Sequence, residues 1–324
     1  MNAFRYERAS DAAGAIALHN AAAQYIAGGT NLLDLMKDDV AAPELLIDIS
    51  RLPLAQIATS TTGIRIGALA RMSDVADDAA VAEQFPIVAQ ALLAGASPQL
   101  RNMATIGGNL LQRTRCAYFR DVSQPCNKRM PGSGCSAVGG VNRMHAVIGA
   151  SENCIATNPS DLAVALVAVD AVVYVQARDG REREIPIADL YVLPGATPAR
   201  ETVIEPGDLI TAITLPISAH ARHSAYLKIR DRASYEFALV SVGVALDRAD
   251  GGVRAARIVL GGVAPKPWRV EAAEAAIVGS QGEEPACRAA AEAAIVGMRG
   301  LGENDFKIEL VKRAVVRALE TVLA

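Results

Sequence analysis

Gln24-Tyr25-Ile26-Ala27-Gly28-Gly29-Thr30-Asn31-Leu32-Leu33 changes character twice within one short run. Gln24 to Ala27 predicts a strand, Gly28-Gly29-Thr30 a glycine turn, and Asn31 onward a helix ending near Lys37. Glycines after a strand let main-chain N–H groups approach an oxyanion closely, which is the physics of a phosphate site. The run has neither the GxGxxG spacing of a dinucleotide fingerprint nor the Gly-Lys-Ser/Thr of a P-loop. Alone it is equally a plain turn. A second run of the same kind, Ala104-Thr105-Ile106-Gly107-Gly108-Asn109, follows about eighty residues later. Two such turns suit the two ends of one long diphosphate ligand.

Outward from these turns the chain divides into segments. Ser10-Asp11 caps an alanine-rich helix to Leu18, and Leu45 to Ile49 predicts a strand with charged Asp48 inside it, so the first stretch is a small βαβ-like unit. Ile64, Ile66 and Ala68 mark a half-buried strand, Ser73-Asp74 caps a helix, and Phe85 to Leu93 predicts a longer one. Asn158-Pro159-Ser160-Asp161 opens an apolar helix from Leu162 to Val169. Ala171 to Ala177 and Glu182 to Ile185 form a hairpin around Asp179-Gly180, and Ile185 to Tyr191 and Leu209 to Pro216 are expected to be extended. Pro216 to Ser224 marks a boundary. Beyond it, Ser224–Ile229, Leu239–Leu246 and Arg254–Leu260 predict a three-stranded antiparallel sheet with Asp250-Gly251-Gly252 as a hairpin turn, then helices over Val270–Val278, Pro285–Met298 and Asp305–Leu323.

Between the second glycine run and the Asn158 helix lies a polar stretch, Gln112 to Asn153, followed at once by Cys154. Loops of that length inside a compact protein are usually functional. Cys116, Cys126, Cys135 and Cys154 are separated by nine, eight and eighteen residues and have Arg115, Asn127, Lys128, Arg129 and Asn153 as neighbours, a setting unlike that of a buried structural thiol. Cys287, in an alanine-rich helix, fits that ordinary role. No short zinc motif has these gaps, and disulfides would call for an oxidising compartment. A [4Fe-4S] cubane tolerates varied spacing and a glycine-rich loop, so it is the preferred assignment, with zinc or no metal as alternatives. His145, inside the loop, is expected to hydrogen-bond a carbonyl, since four thiolates already complete a cubane. Arg115 and Arg120 are expected to be solvated or paired on the surface.

The chain has 324 residues, 51% of them hydrophobic, enough for a sizeable core and more than one domain. A formal net charge of -3 gives no basic footprint for nucleic acid. The sequence predicts no signal peptide of its own and no membrane span.

The pair Ala27-Gly28-Gly29-Thr30-Asn31-Leu32-Leu33 and Arg101-Asn102-Met103-Ala104-Thr105-Ile106-Gly107-Gly108-Asn109 resembles the FAD-binding medium subunit of the molybdenum hydroxylases, the family of xanthine dehydrogenases, carbon monoxide dehydrogenases and aldehyde oxidoreductases. Ser160-Asp161-Leu162, Ile213-Thr214-Leu215-Pro216 and Lys228 fall in the family's order. The resemblance implies an α+β fold. A two-subdomain FAD-binding domain of PCMH/vanillyl-alcohol-oxidase type would span residues 1–218, divided into 1–55 and 56–218 with the Cys-rich loop at 112–154. A carbon monoxide dehydrogenase flavoprotein-like domain would follow at 222–324. It implies that Ala27 to Leu33 wrap the FAD pyrophosphate, that Thr105, Ile106, Gly107, Gly108 and Asn109 form a second flavin-facing turn, that Asp161 contacts the adenosine end and that Lys228 lies near the isoalloxazine ring.

The Cys116–Cys154 insertion, with Asn142-Arg143-Met144-His145-Ala146 and Glu152-Asn153-Cys154, is similar to the [4Fe-4S]-bearing medium subunit of bacterial periplasmic aldehyde oxidoreductase. By that resemblance the chain is an oxidoreductase subunit without a catalytic residue of its own. It would pass electrons from partner iron-sulfur clusters to FAD and an external acceptor. Its partners would be a large molybdenum-cofactor subunit and a small subunit with two [2Fe-2S] clusters. It would be periplasmic through co-export with a signal-bearing partner, and otherwise cytoplasmic. The alternatives are a flavoprotein subunit of xanthine dehydrogenase or hydroxybenzoyl-CoA reductase type, and a stand-alone flavoprotein with a structural zinc loop.

Overall fold

Leu45, Leu46 and Ile47 run without a polar interruption because their strand is buried on both faces. In the computed structural model, which describes residues 1–324, β1 (Arg5–Arg8), β2 (Ala23–Ile26) and β3 (Leu45–Asp48) form a parallel sheet in the order β1-β3-β2. The sequence passes over β1, since Arg-Tyr-Glu-Arg has no apolar alternation and lies on an edge. Buried Asp48 gathers its polar groups: the carboxylate accepts from Arg8 Nε at 2.9 Å, from the Ser50 N–H at 2.8 Å and from the Tyr6 hydroxyl. Burial pushes this carboxyl up, but the donors outweigh burial and hold it well below the usual carboxylate range.

The second sheet is antiparallel, built from β4 (Ile57–Thr59), β5 (Gly63–Gly67), β6 (Val172–Gln176), β7 (Glu182–Pro186) and β8 (Leu209–Pro216) in the order β4-β5-β8-β6-β7. The third comprises β9 (Ser224–Ile229), β10 (Val240–Ala249), β11 (Gly252–Gly261) and β12 (Trp268–Arg269) in the order β12-β11-β10-β9. Between these two sheets run helices Pro86–Ala94 and Asp161–Ala168, and every residue of the latter after Asp161 is buried. Bare Gly243 and Gly261 on the third sheet make room for Val164 of that helix. Helices Glu271–Ile277, Glu284–Ala294 and Phe306–Leu323 cover the opposite face of the third sheet through Val242, Val244, Ile258 and Leu260. No helix is long and apolar enough to cross a membrane.

Three expectations are corrected. The C-terminal sheet has four strands, not three, because two-residue β12 is too short to show alternation. Ile187–Leu190 is a helical turn, not extended chain. The helix expected to be capped at Ser73-Asp74 begins at Met72 with Arg71 as its N-cap.

Candidate functional site: a glycine cradle beside a four-cysteine loop

β2 delivers Ala27-Gly28-Gly29-Thr30 to the edge of the first sheet, and helix Leu32–Lys37 carries the chain away. The main-chain N–H groups of Gly28, Gly29, Thr30 and Asn31 have no acceptor within the chain, and Asn31 Nδ2 is buried without a partner. Gly29 has φ +71°, which glycine adopts without strain. An open row of N–H donors with an orphaned amide fits the pyrophosphate of FAD.

The second turn differs. Ile106 and Gly107 donate to the carbonyls of Ala70 and Ala68 at 3.0 and 2.8 Å, and Gly108 donates to Thr105 Oγ1 at 3.3 Å. Its donors are satisfied, so it serves as a wall. The two turns also adjoin: a Cβ on Gly28 would overlap the Met103 carbonyl. The expectation that they hold opposite ends of a ligand is therefore corrected to one composite cradle. Asn31 Oδ1 accepts from the Arg113 N–H at 3.1 Å, which ties the cradle to the cysteine loop.

From the second turn a polar chain leads to the C-terminal domain. Ser160 Oγ donates to Asn109 Oδ1 at 2.6 Å and caps the Asp161–Ala168 helix by accepting from the Ala163 N–H at 3.0 Å. Asp161 then pairs with Lys228 Nζ at 2.8 Å and accepts from the Tyr226 hydroxyl. Burial, followed by the Asp161 charge and hydrogen bond, pushes the Tyr226 phenol well up, so it stays a donor. Asp161 and Lys228, expected near different ends of the flavin nucleotide, are in direct contact. Sequence inspection missed Tyr226. Its position two residues before Lys228 on β9, hence on the same face, is the signal that could have found it.

The cysteine loop packs onto the helix that leaves the cradle: Phe119 and Cys126 are buried with Leu35, and Cys116 lies against them. Cys126 and Cys135 pair across an antiparallel bridge, and Ser151 pairs with Cys154 in another. Polar residues hold this geometry. Asn127 Oδ1 accepts from the N–H groups of Gly132 and Gly134 at 3.1 and 2.8 Å, and its Nδ2 donates to the Asn153 carbonyl at 3.1 Å. Arg129 donates to the carbonyls of Tyr118 and Phe119 at 3.0 and 2.7 Å, fastening the Cys116 arm to the Cys126 arm. Arg120 donates to Asp38 at 2.9 Å, and Arg115 lies 5.1 Å over the Phe237 ring.

All four thiols are free. Burial pushes Cys116 up to about 11, with Cys126 and Cys154 near enough to add to it. Burial also raises Cys154, again with Cys135 and Cys126 contributing. No three His, Cys, Asp or Glu side chains are placed to hold a single metal ion. Four thiols within mutual electrostatic reach, on a loop bonded through its main chain, fit the ligand set of a cubane. His145 Nε2 lies 3.1 Å from Cys116 Sγ, a thiol contact that the sequence did not suggest. Burial, then the Lys307 charge, pushes this imidazole down, toward its neutral form.

A cavity of about 260 Å³ is lined by Cys116 and His145 of the loop, by Ser160 and Asp161, and by Ala238, Ser241 and Gly262 of the C-terminal domain. Cys116 of the loop and Asp161 of the helix thus share one space.

Residues 2–218 match the FAD binding domain in molybdopterin dehydrogenase, and residues 224–322 match the CO dehydrogenase flavoprotein C-terminal domain. The chain is 51% identical over 322 residues to the aldehyde oxidoreductase FAD-binding subunit PaoB of Escherichia coli (strain K12), covering 98% of each. It is 28% identical over 287 residues to the carbon monoxide dehydrogenase medium chain of Afipia carboxidovorans, covering 87% of this chain and 82% of that one. The carbon monoxide dehydrogenase structure from Hydrogenophaga pseudoflava superimposes with a TM-score of 0.76 at 27% identity, over 99% of this chain and 97% of that one. The chain is thus an oxidoreductase subunit, and it belongs to the FAD-binding medium subunits of the molybdenum hydroxylase family.

Proposed function

We propose that this chain is the FAD- and [4Fe-4S]-carrying electron-transfer subunit of a molybdenum-dependent aldehyde oxidoreductase. The observation that carries the proposal is the cysteine loop, folded against the helix of the glycine cradle in a chain that is 51% identical to an aldehyde oxidoreductase subunit. Gly28 to Asn31 bind the pyrophosphate through open N–H groups, Thr105 to Asn109 form the wall beside them, and Asp161, Tyr226 and Lys228 meet the isoalloxazine end. Ala27, Leu32 and Leu33 frame the turn. Cys116, Cys126, Cys135 and Cys154 are the cluster ligands. Bound FAD supplies a carrier that can load single electrons and discharge a pair. The shared cavity between Cys116 and Asp161 supports exchange between cluster and flavin.

The partners are a large molybdenum-cofactor subunit and a small subunit with two [2Fe-2S] clusters, and electrons leave to an external acceptor. The complex is periplasmic by co-export with a signal-bearing partner. Replacing Cys135 with Ser tests the ligand assignment. The purified variant is expected to lose most of its iron and visible iron-sulfur absorbance while keeping one FAD, and wild-type iron content would contradict it.

A further inference from the structure

Helix Phe306–Leu323 and the turn before it carry two fully buried polar residues that the flavin site does not use, Lys307 and Asn304. Lys307 Nζ donates to the carbonyls of His145 at 3.1 Å and Gly262 at 2.8 Å, and it has no carboxylate partner. Asn304 Nδ2 donates to the carbonyls of His145 and Ala146 at 3.3 and 3.1 Å. A buried ammonium is costly unless something negative compensates it. The charged group acting on Lys307 is another cation, Arg143, itself paired with Asp231. Burial, followed by the Arg143 charge, pushes Lys307 down to about 7, so a nearby anionic group is what would hold it charged. The Lys307 contacts fix one residue above all, His145, whose ring meets Cys116 Sγ.

We propose that His145 donates its Nε2–H to the Cys116 sulfur of the [4Fe-4S] cluster, and that Lys307, holding His145 by its carbonyl, is the buried countercharge to that cluster. This rests on the cluster assignment above. A ligating thiolate only accepts, so the proton between them sits on His145 Nε2. Hydrogen bonds to cluster sulfurs and local charge are among the determinants of reduction potential. A donor on the sulfur and a buried cation both favour the more negative, reduced cluster, so both raise its potential. His145 and Lys307 are positioning residues, set by the C-terminal domain against a loop inserted in the FAD-binding domain.

The test is an EPR-monitored redox titration of the purified complex, with iron and FAD assays on the same samples, for the wild type, His145→Leu, His145→Gln and Lys307→Met. The wild type is expected to hold four iron and one FAD per chain. The midpoint in His145→Leu is expected to be more negative than in the wild type, that in His145→Gln, which keeps a donor, to fall between, and that in Lys307→Met to be lowered. Flavin midpoints should stay at the wild-type value. A wild-type cluster midpoint in His145→Leu with its iron intact overturns the proposal, as does loss of iron from both His145 variants. If His145→Leu alone loses iron, Lys307→Met decides: a lowered midpoint upholds the proposal and an unchanged one overturns it. A wild type without iron overturns the cluster assignment itself, which separates the two failures.

Discussion

Gly28 sits where the two glycine turns meet, and the space for a side chain there is taken by the Met103 carbonyl. Gly28→Val is expected to push the turns apart, to lower stability by about 1–3 kcal/mol as overpacking does, and to leave the purified protein with far less than one FAD per chain. Stoichiometric flavin in that variant would contradict the composite cradle. The glycines and cysteines were legible in the sequence because their chemistry is tied to residue type. Their partners were not. Asn127, Asn304 and Lys307 act through main-chain carbonyls far along the chain, and an Asn or Lys in a polar context carries no local mark of such a contact. For the same reason the contact of His145 with a thiol twenty-nine residues away was not foreseen.

At the scale of elements, strands with clean alternation and helices with apolar faces were readable, and β9 was placed at its observed ends. β1 and β12 were missed because tertiary contacts define them. β12 exists because Arg269 forms a two-pronged pair with Glu274 at 2.8 Å on both prongs, while Glu274 Oε1 also accepts from the Ile258 N–H at 3.1 Å. Glu274→Ala leaves a partly exposed guanidinium and the Ile258 N–H without their acceptor, so it is expected to cost about 1–3 kcal/mol, seen as a lower denaturant midpoint. A change below about 0.5 kcal/mol would place the pair among ordinary surface bridges.

Asp170 joins the second sheet's helix layer to the third sheet through Arg257 Nε at 3.1 Å and His220 at 3.4 Å. Burial raises its pKa, but the hydrogen bonds from His220 and Arg257 and their charges outweigh that and bring it to about 2. The folded value lies below the unfolded one near 3.9, so this stabilisation is complete above about pH 4 and is lost as pH falls toward about 2. Solvent screening of this half-exposed carboxylate reduces it to about 1 kcal/mol. Thermal unfolding of Asp170→Asn should lie below wild type at pH 7, and the gap should close as pH falls through this window. A gap independent of pH would contradict the assignment.

Across the whole molecule, the parts of the proposed site come from different layers of the fold. The N-terminal sheet supplies open N–H donors, the C-terminal sheet supplies Tyr226 and Lys228, and the inserted loop lies against the helix that leaves the cradle. The C-terminal helix then anchors that loop through Asn304 and Lys307. The central claim is that one chain carries a flavin and a cubane side by side. It is tested most directly by an absorption spectrum of the anaerobically purified protein, with iron, sulfide, zinc and flavin assayed on the same sample. The account predicts flavin bands together with about four iron and four sulfide per chain. One FAD with neither iron nor sulfide would contradict it.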